Sequence, residues 1–506
     1  MTIRKSPLGR RYAAVLGAAA ILYGISCAPG ALWQDSGLIQ YRVWHNDVEG
    51  FLGLALSHPL YYLVAIGARY IPLGQFGHRV NLVSALAAAI AVANVYLLVR
   101  LWLGKDFPAL IAAATLAFSH TFWRHASIAE TYTLWTALFA GELIVLLQHT
   151  RTRRIGYLYA LGLLNGLALA VHMLASIALI CYAAYVAMLL VKRKVGGKDV
   201  LACLLLWIAG ASPFLLLVVK GMLQSGDVLG TLASAAFGHR WQGDVLNMSV
   251  PGRIAVENVA FILFNFATPN LLLFPAGCYA LHKVGPTSAF RNIVLALLVL
   301  FFAFAFRYTV PDRYAFFIPF YCVAAIVMGL GTQVVLSKLR RRTVLCAIAA
   351  FSVLPAGVYA ATPRLAERWN LALGTRQDVP YRNDCRYFLA PWKTGYRGAE
   401  RFAEEALATV EPGAVIYADT TTVGPLLYVQ QVRNTRPDVS VVTGIVGSEG
   451  APSYGAETFE QLVQTRPIYV TSARAGYGPA FILEKYDLAR AGVLRRVLKR
   501  SAGEDL

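Results

Sequence analysis

The sequence predicts a polytopic α-helical membrane protein of about eleven spans, followed by a soluble C-terminal α/β domain. Three observations predict it. Hydrophobic residues make up 57% of the chain and charged residues only 14%, where a soluble domain carries about a quarter charged. The apolar residues fall in blocks such as 12–32, 82–103 and 200–219, each long enough to cross a hydrocarbon core of roughly 30 Å. Past residue 362, charges and turn residues return.

Inside a bilayer every backbone N–H and C=O must be bonded within its own segment, so each block is expected to be a helix. The expected spans are 12–32, 80–103, 107–122, 129–148, 157–171, 174–191, 200–219, 254–281, 291–306, 314–335 and 343–361. The first is longer than the apolar core of a signal peptide and reads as a retained helix. Segment 51–74 is apolar but carries His58, Pro59, Arg69 and Pro72, and is expected to be helix lying in the interface. The membrane domain is thus expected to occupy 1–361 and the soluble domain 362–506. In the latter, 397–409 has helical spacing, 414–418, 438–443 and 467–471 read as strands, and 425–432 as helix. That order points to a partly parallel sheet.

The net charge is +19 with histidine neutral. On a soluble chain this would suggest nucleic acid, but here the basic residues sit in alternate short connections. They are Arg4, Lys5, Arg10 and Arg11; Arg100 and Lys105; Arg151, Arg153 and Arg154; Lys192 to Lys194 and Lys198; Lys283 and Arg291; Lys338 and Arg340 to Arg342. The positive-inside rule puts these in the cytoplasm, with the N-terminus, and an odd number of spans puts the C-terminal domain outside. No nucleic-acid partner is expected. The seven cysteines form no CxxC pair, and only Cys385 lies in the outward domain, which is therefore not disulfide-stapled. With the Ala/Leu/Arg bias, this suggests a bacterial inner membrane.

With that topology the polar residues of the outward loops gather on one membrane face. The first loop holds Asp35, His45, Asp47, Glu49, His58 and Arg79, and the second His120, Arg124, His125 and Glu130. The third holds His172, the fourth His239, Arg240, Asp244 and Glu257, and the fifth Arg307, Asp312 and Arg313. Asp35 lies in Trp33-Gln-Asp-Ser-Gly37, directly after the first span, and is either a turn former or a functional carboxylate. Glu130 is either a favourable charge at a helix N-terminus or a cavity group. Asp312 and Arg313 are either a local ion pair or part of a site. His58 and His172 are either interfacial residues or pocket walls.

At these residues the sequence resembles a membrane family of formerly unknown function whose animal member is a protein O-mannosyltransferase. The resemblance is carried by Asp35-Ser-Gly37, His58-Pro-Leu-Tyr61, the stretch from Arg79 to Ala85, Phe118–Trp123 with Ile128-Ala-Glu-Thr-Tyr132, Gly166–His172 and Pro311–Pro319. In the soluble part it is carried by Pro425–Val432 with Arg436-Pro-Asp-Val439. That family is similar to the GT-C class of glycosyltransferases, which take a sugar from a polyprenyl-phosphate carrier on the outer or lumenal face.

The resemblance implies that Asp35 is the acid that activates the acceptor. Arg79, Asp312 and Arg313 would serve the donor or its phosphate, and His58, Glu130, Tyr132 and His172 would line the pocket. Departures from the family pattern are Leu38 where an acid usually follows Asp-Ser-Gly, a shortened His58-Pro59-Leu60-Tyr61, and Asp419 standing alone before Thr420 to Thr422. The missing acid pair disfavours a divalent metal, for which Asp47 or Glu49 are the remaining candidates, and no other cofactor is called for.

The expected function is transfer of a sugar, mannose by the resemblance, from a polyprenyl-phosphate donor to a protein or glycan acceptor. The rival is a transporter or flippase for a lipid-linked or anionic solute, whose signature would be inverted repeats and mid-membrane ionisable groups. Only Glu142 and Glu257 approach that position, and no repeat is visible. A non-catalytic scaffold would leave the outward carboxylates and histidines without a role.

Overall fold

The computed structural model describes residues 7–238, 242–283, 287–310, 312–339, 341–371, 373, 378–443 and 455–500. His239, Arg240, Pro311 and Arg340 lie outside them. Every predicted apolar block is helical over most of its length. Helix α1 (Pro7–Ser26) is followed by the short α2 (Gln34–Trp44) and α3 (Pro59–Gly67), then the long α4 (Phe76–Leu103). The segment expected to lie in the interface is α3 with a 3-10 turn on either side. Next come α5 (Asp106–Ala117), α6 (His120–Ala126), α7 (Tyr132–Thr152), α8 (Ile155–Val171), α9 (Ala175–Val191) and α10 (Gly197–Ser225). After α11 (Val228–Phe237) and α12 (Gln242–Leu246) follow α13 (Gly252–Asn265), α14 (Leu273–Lys283), α15 (Ser288–Arg307), α16 (Ile318–Lys338) and α17 (Arg342–Arg368).

Among the described residues, five of these segments are long and apolar enough to cross a membrane: α4, α10, α15, α16 with the turn before it, and α17. The expected single span 254–281 is instead α13 and α14, bent by 108° at a break before Pro269, and the pair would make a sixth. The expectation of about eleven spans is therefore not met by length and hydropathy together. Several helices, α5, α8 and α9 among them, are apolar but shorter than 18 residues. The break has a local cause, because the residue before a proline is pushed out of the helical region and Thr268 is extended, at φ −152° and ψ 146°.

The bundle is packed through small residues. A Cβ on Gly166 would come within 2.2 Å of the Trp207 carbonyl oxygen, and one on Gly277 within 1.9 Å of that of Val327. Bare backbone at these positions lets α8 approach α10 and α14 approach α16, as expected where lipid supplies no hydrophobic drive between helices. The core is continuous with that of the C-terminal part. Trp33 and Phe76 belong to one buried cluster with Phe402, Leu426 and Tyr428.

The C-terminal part comprises α18 (Asp384–Leu389), α19 (Gly398–Thr409), β1 (Val415–Ala418), α20 (Val423–Val432), β2 (Ser440–Thr443), α21 (Ala456–Thr465), β3 (Ile468–Val470), α22 (Ala480–Lys485), β4 (Tyr486–Ala491) and β5 (Leu494–Lys499). The strands form one sheet in the order β2-β1-β3-β5-β4. β1 runs parallel to β2 and β3, with Val415 opposite both Ser440 and Ile468, while β5 is antiparallel to β3 and β4. The three strands read from the sequence are thus the parallel half. The antiparallel hairpin β4–β5 was not expected.

Candidate active site

Gln34 adopts φ +56°, a left-handed backbone that turns the chain sharply and starts α2, so that Asp35 stands in its first turn. The residue keeps exposed surface, yet burial by the surrounding protein pushes its carboxyl above the usual range, with Arg124 pulling the other way. Asp35 thus combines accessible surface with partial desolvation.

Two further carboxylates couple to it electrostatically. Glu130, between α6 and α7, is fixed through its backbone. Its N–H donates to Ser84 Oγ at 3.0 Å, and Ser84 Oγ donates to its carbonyl at 2.9 Å. Ser36 Oγ donates to its carboxylate at 3.4 Å. Burial pushes Glu130 up to about 8, assisted by the charges of Asp35 and Asp312 and opposed by Arg124. Asp312, between α15 and α16, also keeps exposed surface. Burial and the charge of Asp35 push it up to about 6, again against Arg124. Three acids that raise one another through repulsion titrate as a set, in which the most raised group is protonated while the others are ionised.

Arg124, buried on α6, is the cation these acids share. It donates to the Tyr314 hydroxyl at 2.7 Å, and its guanidinium lies 5.1, 5.3 and 5.4 Å from the ring centres of Phe388, Tyr314 and Tyr387. Its Nε has no hydrogen-bond partner among the described residues, so the guanidinium retains donor capacity. Sequence reasoning placed Arg124 in the right loop but assigned it no role. Its signal was an arginine flanked by aromatic and histidine residues, Trp123-Arg-His125.

His58, Tyr132 and His172 form a second group. His58, at φ +52° before Pro59, donates from Nδ1 to the Val171 carbonyl at 2.8 Å. His172 Nδ1 accepts from the Leu174 N–H at 3.2 Å. The two imidazoles stack at 4.9 Å, and Tyr132 lies 5.0 Å from His172. Burial pushes His58 down to about 4 and His172 well below its usual range, so both rings are neutral at pH 7 and act as polar, flat surfaces.

The remaining expected residues lie elsewhere. Arg313 does not pair with Asp312. It is buried against Glu257, with Nε donating to Asn258 at 3.1 Å. A guanidinium fork held by two partners on α13 stabilises the loop. Arg79 donates to the Arg69 carbonyl at 2.8 Å and shares no described contact with the acids. Of the metal candidates, Asp47 pairs with Arg42 at 3.1 Å and Glu49 with Lys220 at 2.5 Å. Among the described residues no group of three or more His, Cys, Asp or Glu is arranged to hold a metal. A cleft of about 460 Å³ between the 49–54 loop and α10–α11 includes none of the convergent acids. The chemistry therefore points to the Asp35, Glu130 and Asp312 group rather than to that void.

Residues 56–196 match the family model for the protein O-mannosyl-transferase TMEM260 N-terminal domain. The matched stretch contains His58, Arg79, Arg124, Glu130, Tyr132 and His172, and stops short of Asp35 on one side and Asp312 on the other. No curated protein matches the sequence significantly. Among solved structures, ArnT from Cupriavidus metallidurans bound to undecaprenyl phosphate superimposes with a TM-score of 0.66 at 13% identity, over 98% of this chain and 99% of that one. The apo state of the same protein gives 0.64 at 13%, over 97% and 98%. Identity so low speaks for fold alone. The chain is an integral membrane protein with the fold of ArnT, and its residues 56–196 are similar to the TMEM260 N-terminal domain.

Proposed function

We propose that the chain is a membrane glycosyltransferase that moves a sugar from a polyprenyl-phosphate carrier to a hydroxyl of a protein or glycan acceptor, at the outer face of a bacterial inner membrane. The observation that carries this reading is the mutual electrostatic coupling of Asp35, Glu130 and Asp312 beside Arg124. Direct displacement at an anomeric carbon needs a base opposite the leaving group. Asp35 is that base, and desolvation strengthens it. The departing phosphate needs little protonation but does need a cation. Arg124 supplies it, with its guanidinium plane fixed by aromatic rings. Glu130, raised to about 8, is protonated at neutral pH and offers an O–H donor to the sugar or phosphate.

In this reading Arg313 and Arg79 give way to Arg124, because their own contacts occupy them. His58, Tyr132 and His172 wall the sugar subsite. Mannose is favoured by the description of the family matched over 56–196, and a polyprenyl-phosphate donor by the ligand of the ArnT structure. The outer-face assignment follows from the basic residues in alternate loops. Residues 1–361 would form the membrane catalytic domain and 362–506 the outward domain that presents the acceptor.

The test is sugar transfer in membranes carrying the wild type or Asp35→Asn, with radiolabelled polyprenyl-phosphate mannose and an envelope extract as acceptor. Transfer by the wild type and its loss in the variant at equal protein level support the reading. Equal transfer by both removes Asp35 from the mechanism.

A further inference from the structure

In an open sheet of parallel strands, the loops at the carboxyl ends beside a reversal of strand order form the crevice that ordinarily receives a ligand. Here β1 lies between β2 and β3, so that crevice is edged by the loop 419–422 after β1 and by Thr471 after β3. The loop is stiff. Asp419 Oδ1 accepts from the Thr422 N–H at 3.1 Å and from its hydroxyl at 2.7 Å, and the Thr422 and Thr471 hydroxyls are 3.1 Å apart. What this loop meets is the helix that carries Asp35. The Thr421 carbonyl accepts from the Gln34 N–H at 3.2 Å. One residue into α20, a Cβ on Gly424 would stand 2.9 Å from both the Gly37 carbonyl carbon and the Leu38 nitrogen. A Cβ on Gly37 would in turn stand 3.3 Å from Pro425 Cδ. At the far end of α2, His45 Nε2 lies 2.6 Å from Gln431 Oε1.

We infer that the β1–α20 segment is a clamp for the Asp35 helix, with Thr421, Gly424 and Gln431 as positioning residues, so that the C-terminal sheet sets where the carboxylate of Asp35 points. As a statement about catalysis, the inference rests on the transferase reading above. Its physical basis is that Gln34 is held in a left-handed conformation at a junction where two backbones touch with no side chain between them. A non-glycine residue in that region costs energy and persists only where its surroundings over-determine it. Neither backbone can give way as the tip of a side chain would, so a methyl group at Gly424 must displace α2.

The experiment uses the full chain in detergent or nanodiscs. Hydrogen exchange across 33–44 is compared for wild type, Gly424→Ala, Gly424→Val and Gln431→Ala, with Gly357→Ala, in open space on α17, as control. Sugar transfer is measured on the same samples. The clamp predicts exchange at 34–38 faster by tenfold or more in Gly424→Val, and a smaller rise in Gly424→Ala. It also predicts kcat down at least tenfold in Gly424→Val, with KM for the lipid donor within twofold and the acid limb of the pH profile displaced. Gln431→Ala adds no clash and is expected to loosen 41–45, which keeps the test open if Gly424→Val does not fold. Unchanged exchange over 33–44 in the folded variants overturns the clamp. Unchanged kcat despite faster exchange overturns its positioning role. Faster exchange in a protein whose wild type transfers no sugar leaves the clamp standing and overturns the transferase reading instead.

Discussion

Ser36 donates to the Glu130 carboxylate across 3.4 Å, which ties the residue after Asp35 to the second acid of the group. The two acids are therefore held near each other by a side chain that belongs to the helix of the first. Their charges interact, and that sets how the site responds to pH.

The transfer rate is expected to follow a bell. Asp312 is pushed up to about 6 and Glu130 up to about 8, so between these values Glu130 is protonated while Asp312 is ionised. The rate should rise as the base Asp35 and its neighbour Asp312 lose their protons, Asp312 at about 6, and fall as Glu130 ionises at about 8. Measuring kcat/KM from pH 5 to 9.5 in wild type and Glu130→Gln checks this, since the amide cannot ionise and the variant should lack the alkaline limb. Stability has its own sign. The folded pKa of Glu130 lies above its ordinary value of 4.5, so its contribution is fully present below about 4.5 and lost as pH rises through about 8. The thermal midpoint of Glu130→Gln relative to wild type should therefore climb across that window.

Arg124 lowers all three carboxyls. Replacing it with alanine is expected to move the acid limb of the same profile upward and to reduce kcat by about a hundredfold or more, the order seen when a charge-stabilising donor is removed. Arg124→Lys keeps the charge but loses the planar fork that Tyr314, Tyr387 and Phe388 surround, and should recover only part of the rate. A rate within threefold of wild type in Arg124→Ala would remove it from the chemistry.

Much of this was legible in the sequence, for reasons that differ between elements. Hydrophobic length is read directly, so blocks such as 200–219 and 343–361 are helices in the structure. The bend between α13 and α14 was also written there, in Pro269, but composition alone let an apolar run pass as one span. β4 and β5 carry four arginines and lysines between them, Arg490, Arg495, Arg496 and Lys499, with Arg500 directly after. Such charged, half-exposed strands lack the alternation that marks a strand. Asp35, Glu130 and Asp312 were each found in loops. Their convergence depends on how α2, α6 and the α15–α16 connection pack, which no local pattern encodes. The same holds for Arg313, where proximity in sequence suggested Asp312 and packing supplied Glu257.

Arg313 is accordingly expected to matter for stability rather than donor affinity. Its fork is buried between Glu257 and Asn258, while Glu257 remains partly exposed, so the loss on Arg313→Ala should be below that of a fully buried pair, about 1–3 kcal/mol. A thermal melt in detergent measures this. A lower midpoint with KM for the lipid donor unchanged fits the structural role, whereas an unchanged midpoint with a KM raised tenfold would return Arg313 to the phosphate.

Glu142 discriminates between transferase and transporter. It is buried on α7, where its carboxylate accepts from Tyr182 Oη at 3.0 Å and Asn165 Nδ2 at 3.3 Å, and Asn165 in turn accepts from Trp207 Nε1 at 3.1 Å. Hydrogen bonds between membrane helices are worth about 0.6–2 kcal/mol each, so a closed network of this kind joins α7, α8, α9 and α10. A transporter would need the acid to change protonation or partner during its cycle, and glutamine would abolish the cycle. In a transferase whose chemistry lies at the end of the bundle, Glu142→Gln preserves the shape and can still accept from Tyr182. Transfer should then stay within twofold of wild type, while Glu142→Leu, which removes the carboxylate that Tyr182 and Asn165 share and leaves Asn165 only the Ala175 carbonyl, lowers the thermal midpoint. Loss of all activity in Glu142→Gln at full thermal stability would shift the balance to transport.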